Sequence, residues 1–319
     1  YSIQEIDQDA FFRPITVFNN TVYERSVAVL LLTRALKTAI MERGVAQLSV
    51  PNDIQKQRLD VRFCRRETCI TDFHIVPDAA QLQRAIEAID AAEDPLIIAG
   101  FGAYNDGELV LDLARRIQAP ILTTYRAKGI LPEDNEWVVG ILGSVGSPQA
   151  RELANGADLL ITLGVGFSKL TAVPTDKPLV QVDINPVRLG KGSKGVPLWG
   201  NCRLVIPRLT AGVAPRPEKD VLSRIDRMKR AWADLLEREA DPDAVPIRPP
   251  YIMKVLSETV PPDAVIAVDV GENHWWFGRN FRMKRQRFTM SGYLATMGYG
   301  FPAAIAAKLA YPEKTVFCI

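Results

Sequence analysis

Two glycine pairs, two aspartates and a methionine-centred loop are the residues whose types and spacing can do chemistry in this chain. Gly100-Phe101-Gly102 stands between an apolar run at 95–99 and a helix-forming run. Glycines there let backbone N–H groups reach a pyrophosphate beside a helix N-terminus. Asn105 occupies the place of the third glycine of a GxGxxG pattern. The next apolar run ends in Thr123-Thr124-Tyr125 with no acid, so a nicotinamide fingerprint is poorly supported. Gly164-Val165-Gly166 follows the run at 159–163, and Asp183 closes the run after it, where an acid can hold a ribose hydroxyl. A structural turn accounts equally well for a lone pair of this kind. Asp269-Val270-Gly271-Glu272-Asn273-His274 ends a further apolar run in a glycine, at a strand end of the kind where phosphates sit. Asp269 reads either as a cofactor contact or as a loop cap. His274, beside Trp275 and Trp276, reads as packed among aromatics.

The densest stretch is SGYLATMGYGFPAAIAAKLAYP, Ser291 to Pro312. Gly298 and Gly300 allow backbone to approach a ligand or another chain closely. Pro302 suits a first helical turn, where its missing N–H loses no bond. Ala303, Ala304, Ala306 and Ala307 give the helix a small face that can lie close to a neighbour.

The elements that must position these residues alternate. Residues 26–41 read as a helix stopping at Gly44, and 45–50 as a short strand before Pro51. From Pro77 a βα rhythm sets in. Asp78 caps a helix at 79–92, followed by a buried strand at 95–99, a helix at 108–118 and a strand at 120–124. A helix at 149–155 and strands at 159–163 and 179–184 complete a doubly wound parallel α/β domain over 77–213. Residues 214–220, with Pro215 and Pro217, form a linker. Residues 221–240 form a charged amphipathic helix, and 265–268 a strand.

Composition narrows the function. A length of 319 residues with 47% hydrophobic side chains supports two or three domains, and a net charge of +2 gives no global pull towards nucleic acid or membrane. No apolar run is long enough for a bilayer, and no signal peptide is recognised. Two histidines leave little room for a His-rich metal site or a Ser-His-Asp triad. Cys64, Cys69, Cys202 and Cys318 lack metal-ligand spacing, and free thiols in a cytoplasmic protein are the simplest reading.

The order ATMGxGxPAAIAAKLxYPE resembles the cofactor segment of thiamine-diphosphate enzymes of the pyruvate oxidase and acetolactate synthase family. The central glycine loops, Thr124 to Gly129 and Val182 to Pro186 resemble, in order, the FAD segments of pyruvate oxidases. The resemblance implies thiamine diphosphate, Mg²⁺ and FAD as cofactors. It implies a 2-keto acid substrate, pyruvate in the first place, in an oxidative decarboxylation, and a homodimer or homotetramer. Acetolactate synthase, in which FAD is bound without redox turnover, is the alternative, and a non-catalytic nucleotide-binding homologue is a second one. Acetolactate synthases carry lysine where Asn52 stands, which tilts the reading towards the oxidases.

By resemblance, Gly100, Phe101, Gly102, Thr124, Lys128, Gly164 and Phe167 line the flavin with Asp183, Ile184, Arg188 and Asn201 towards the adenosine. Gly271, Glu272, Asn273 and Thr296 face thiamine diphosphate, and Met297 is the wedge that bends it. The expected organisation is the end of a pyrimidine-binding domain (1–60), a linker (61–76), an FAD-type domain (77–213), a linker and connector helix (214–244) and the start of a diphosphate-binding domain (245–319). The activating glutamate and the Mg²⁺-holding segment are expected outside 1–319, so that these residues alone should not catalyse the reaction.

Overall fold

In a computed structural model the chain is described at every residue except 1, 2, 4, 61–64, 71, 73, 193, 218 and 219. It divides into two compact units, Tyr1–Phe73 and His74–Ile319.

In the smaller unit, α1 (Gln8–Phe12), β1 (Phe18–Thr21), α2 (Ala28–Glu42), β2 (Ala46–Ser49), α3 (Asn52–Gln55) and α4 (Arg66–Cys69) follow in order. β1 and β2 pair in parallel, Phe18 opposite Ala46, so the connection through α2 is a crossover. α2 stops where Arg43 turns left-handed (φ 52), one residue before the glycine that marks the stop in the sequence. The expected strand and helix are both present. Cys69 corrects the free-thiol reading: it is disulfide-bonded, with a partner outside the described residues, and Cys64 too lies outside them. Bridging depends on how closely two Cα atoms approach, which the absence of metal spacing does not report. Cys202 and Cys318 are free, and burial pushes the Cys202 thiol up to about 12.

The larger unit opens with α5 (Ala79–Ala91), whose N-cap Asp78 accepts from the amides of Ala80 and Gln81. Then come β3 (Pro95–Ala99), α6 (Gly107–Ile117), β4 (Ile121–Thr123), β5 (Val138–Ile141), α7 (Pro148–Gly156), β6 (Leu159–Leu163), β7 (Leu179–Asp183), β8 (Gly195–Trp199), α8 (Cys202–Gly212) and α9 (Val221–Glu239). The strands form one parallel sheet in the order β5-β4-β3-β6-β7-β8. Counted within the sheet, this is the 3-2-1-4-5-6 order of dinucleotide-binding folds, with its topological switch between β3 and β6. β3, β6 and β7 are buried along their whole length, as strands covered on both faces must be. The edge strands β5 and β8 escape sequence reading because Gly140 and Pro197 interrupt them, and an edge position tolerates both.

α10 (Pro249–Thr259), β9 (Val265–Val268), α11 (Glu272–Asn280), β10 (Arg287–Met290), α12 (Gly300–Ala310) and β11 (Val316–Cys318) build a second parallel sheet, ordered β10-β9-β11. α12 packs on β9 and β11. Ala303, Ala304 and Ala307 are half-buried there, while Ala306 is exposed. α9 buries Val221, Ile225, Trp232 and Leu236 and runs along edge strand β5. Among the described residues, no helix is long and apolar enough to cross a membrane.

Candidate functional site

The two glycine loops meet each other at the β3/β6 switch. Gly100 donates its amide to Leu163 O at 2.8 Å, and Gly102 donates to Gly164 O at 3.1 Å. A side chain begun at Gly100 would strike Gly164 O, and one at Gly102 would lie 2.8 Å from Gly164 Cα. The amides assigned to a pyrophosphate are therefore engaged between the loops. What the glycines supply is a backbone crossing that no Cβ can enter, which shapes the crevice floor. Phe101 stands beside it, 51% exposed, with its ring 5.7 Å from Tyr104. Thr124 is buried after β4, its amide donating to Ala99 O. Phe167, left-handed at φ 52, packs partly against the central core.

At the adenosine end, Asp183 closes β7 and accepts from the Asn185 amide at 2.8 Å, which orders the turn through Ile184 into Pro186–Arg188. Ile184 O accepts from Trp199 Nε1 at 3.0 Å. Two residues take different roles from those expected. Lys128 is 2% exposed and forms an ion pair with Glu133, whose other oxygen accepts from the Met283 amide at 3.2 Å. Burial lowers its ammonium pKa and Glu133 opposes that, so in this arrangement the charge is spent inside the protein. Asn201 latches onto Ile75 in both directions, its Oδ1 accepting at 2.8 Å and its amide donating at 3.0 Å. A charge pair and a main-chain latch are contacts between distant segments, invisible to local spacing.

The sequence reading did not assign Arg126 a role. Its guanidinium lies 4.3 Å from the Phe101 ring centroid, and its stem runs beside Gly292, where a Cβ would lie 2.6 Å from Arg126 Cδ. Burial, then the charge of Arg188, lowers its pKa. Two guanidiniums sharing the carboxyl edge of the sheet suit an anionic ligand such as a dinucleotide's diphosphate. The signal was present as a basic residue directly after a strand's carboxyl end.

The second edge is built on Asp269, which follows β9. Its carboxylate accepts from Val270 N at 2.6 Å, Gly298 N at 2.9 Å and Gly300 N at 2.9 Å. This is the loop-capping role: Asp269 holds the Met297 segment against the end of β9. Gly271 (φ 145) turns the chain into α11, placing Glu272 and Asn273 in its first turn. Asn273 Nδ2 donates to Ile319 O at 2.9 Å. Thr296 donates its amide to Ser291 Oγ at 2.9 Å, and Met297 next to it is 81% exposed. Among the described residues, nothing beyond its chain neighbours lies within 4 Å of where a Gly298 side chain would begin. Open space beside an exposed methionine, at the N-termini of α11 and α12, fits a bound diphosphate-bearing cofactor. His274 stacks on Tyr125 at 5.8 Å, and the Tyr125 hydroxyl donates to His274 O, which joins the two sheets. Among the described residues, no group of three or more His, Cys, Asp or Glu side chains is placed to hold a metal ion.

Backbone donors hold the Asp269 carboxyl below its ordinary range, Val270 first and Gly300 next. A depressed folded pKa means that the clasp is fully present above about pH 3.9, the unfolded carboxyl value, and is lost as pH falls through the folded one. Hydrogen exchange at the Gly298 and Gly300 amides should therefore be several-fold faster in Asp269→Ala at neutral pH. Wild type, corrected for intrinsic exchange, should approach the variant only below pH 4. Equal protection in both proteins at pH 7 would show that the clasp does not order the loop.

Residues 82–209 match the central domain of thiamine pyrophosphate enzymes, and residues 269–319 match their C-terminal TPP-binding domain. The chain belongs to the thiamine pyrophosphate enzymes, in the family of pyruvate oxidases and acetolactate synthases. It is 31% identical over 99% of its length to the putative thiamine pyrophosphate-containing protein YdaP of Bacillus subtilis, covering 55% of that protein. It is 30% identical over its full length to a probable acetolactate synthase large subunit of Methanocaldococcus jannaschii, covering 57%. To the pyruvate oxidase of Lactiplantibacillus plantarum it is 26% identical over 99% of its length, covering 54%. The chain thus spans about half the length of the curated relatives it matches. Against this family, the β3/β6 crevice lies in the central domain, and the Asp269–Met297 edge lies in the TPP-binding domain.

Proposed function

We propose that this chain belongs to an enzyme that binds thiamine diphosphate, Mg²⁺ and FAD and oxidatively decarboxylates a 2-keto acid, with pyruvate as the first substrate to test. The observation that carries the reading is the joining of two cofactor edges within one unit. Arg126, on the dinucleotide crevice, packs against Gly292 at the start of the Met297 segment. When bound, thiamine diphosphate supplies stabilisation of the carbanion left by decarboxylation, and FAD supplies a two-electron acceptor.

The chain's own residues bind and orient. Gly100, Gly102 and Gly164 keep the crevice floor free of side chains, with Phe101, Thr124 and Phe167 as its apolar and hydroxyl-bearing walls. Asp183, Ile184 and Arg188 take the adenosine side, and Arg126 takes the cationic role first given to Lys128. Gly271, Glu272, Asn273 and Thr296 would frame the thiamine diphosphate edge, and the exposed Met297 would support the cofactor there and hold its orientation. A homodimer or homotetramer is the proposed assembly.

Acetolactate synthase is the second reading, favoured by relatives that carry that name. Asn52, the first residue of α3, is the feature on the oxidase side. One experiment separates the readings: denature the intact protein to identify its released nucleotide, then add pyruvate anaerobically to a native sample. FAD with bleaching supports the oxidase. FAD with a carbon–carbon coupled product and no bleaching supports the synthase. Release of NAD, or retention of neither flavin nor thiamine diphosphate, overturns both.

A further inference from the structure

A cavity of about 220 Å³ lies between α9 and edge strand β5, away from the β3/β6 switch. That is many times the roughly 15 Å³ that admits one water. Its wall includes the last three residues of β5 (Val139, Gly140, Ile141) and Trp232 of α9. Gly140 contributes no side chain, and among the described residues nothing beyond its chain neighbours lies within 4 Å of where one would start. The cavity continues past Gly146 and Ser147 into a wider groove that carries Arg151.

The charges around it do not balance. Lys128, Lys229, Arg230, Arg279 and Arg282 line the cavity, against Glu133 alone among carboxylates. Lys128 pairs with Glu133, Arg279 with Glu239 through two bonds, and Arg230 with Asp226 at 2.8 Å. Two cations remain. Lys229 Nζ donates to a neutral acceptor, Asn135 O, at 2.7 Å, while the carboxylates of Asp134, Glu133 and Asp226 attract it without a bond. The Arg282 side chain makes no hydrogen bond or ion pair among the described residues; only its backbone amide is bonded, to Ser257 Oγ at 2.9 Å. Arg282 also repels both neighbouring ammonium groups, adding to the burial that already lowers the pKa of Lys128 and of Lys229. Two half-buried cations that face one sheltered space, neither bonded to a carboxylate, leave room for a counter-charge between them.

We propose that this cavity binds a small oxyanion, a phosphate or a carboxylate, between Lys229 of α9 and Arg282 after α11. Both groups donate several N–H bonds, and Arg282 offers the planar fork that matches either anion. Such an anion would tie the connector helix to the segment following α11, so its binding should be felt as stability of the whole unit.

The test uses the intact protein and thermal unfolding in potassium phosphate or potassium acetate, each against potassium chloride at matched ionic strength. The unfolding midpoint should rise and saturate with at least one of the two anions, and the anion that works identifies the source. Lys229→Gln/Arg282→Gln should lose the saturable rise while melting in chloride no lower than wild type, because the repulsion is gone. No saturable rise with either anion, or the same rise in the double variant, overturns the proposal. Should the double variant not fold, titration calorimetry on Arg282→Gln and Arg282→Lys decides. A dissociation constant at least about tenfold weaker in Arg282→Gln, with Arg282→Lys in between, supports the site. An unchanged constant in Arg282→Gln overturns it.

Discussion

Replacing Gly164 by alanine should cost the larger unit about 2–5 kcal/mol, while the same change at Gly166 should cost almost nothing. Gly164 sits at φ 65, where a side chain costs roughly 1–2 kcal/mol against the following carbonyl. Its Cβ would also be driven into the Gly102 backbone, with Gly102 N and C both at 2.8 Å, and overpacking of rigid atoms adds about 1–3 kcal/mol. Backbone on both sides cannot swing away as a side-chain tip can. Gly166, by contrast, has nothing among the described residues, its chain neighbours aside, within 4 Å of its would-be Cβ. Urea unfolding of the two alanine variants is the check. The midpoint should fall clearly for Gly164→Ala and stay near wild type for Gly166→Ala. A total near the upper figure would take up much of a marginal stability of about 5–15 kcal/mol, so a loss of soluble protein is the extreme form of the same result. Equal midpoints would mean that the loops can separate without cost.

Lys128→Met should be comparably damaging, by about 3–5 kcal/mol, for an electrostatic reason. Lys128 is 2% exposed and Glu133 17%, so removing the ammonium strands a carboxylate that water barely reaches. Lys128→Met/Glu133→Gln should recover most of the loss. The glutamine oxygen can still accept from the Met283 amide, and no carboxylate is left without its ammonium. A double-mutant cycle in denaturant measures this directly. A double variant no more stable than Lys128→Met would show that the ion pair is not the source of the cost.

What the sequence made legible follows from range. The buried strands β3, β6 and β7 are continuous apolar runs, and Asp78 and Gly44 mark helix ends through contacts within a few residues. The glycine pairs and Asp183 stand at strand ends because local pattern fixes strand ends. The roles of Lys128, Asn201 and Asp269 were less readable for the opposite reason. Each is decided by a partner that only the fold brings near: Glu133 across a turn, Ile75 at the entry to the unit, and Gly298 and Gly300 beyond a strand. Asp269 was readable as two alternatives, and three backbone donors select the cap. Arg126 shows a third case, in which a residue was seen in its segment while its neighbours Phe101 and Gly292 were not. β5 and β8 were missed because edge strands need little of the apolar continuity that betrays a central one.

The switch between β3 and β6 also sets an order of events during translation. β3 can pair with β4 soon after both leave the ribosome, but its other edge must wait for β6, after β5 and α7 have been made. At roughly 5–20 residues per second, the wait lasts several seconds. Through that interval Pro95–Ala99 presents one unpaired apolar edge, and Gly100 and Gly102 lack the carbonyls they will bond. An open edge of that kind recruits whatever strand or chaperone is nearest. The nascent chain is thus most vulnerable at the same seam that later frames the nucleotide crevice, and slowing synthesis between residues 100 and 163 would lengthen its exposure.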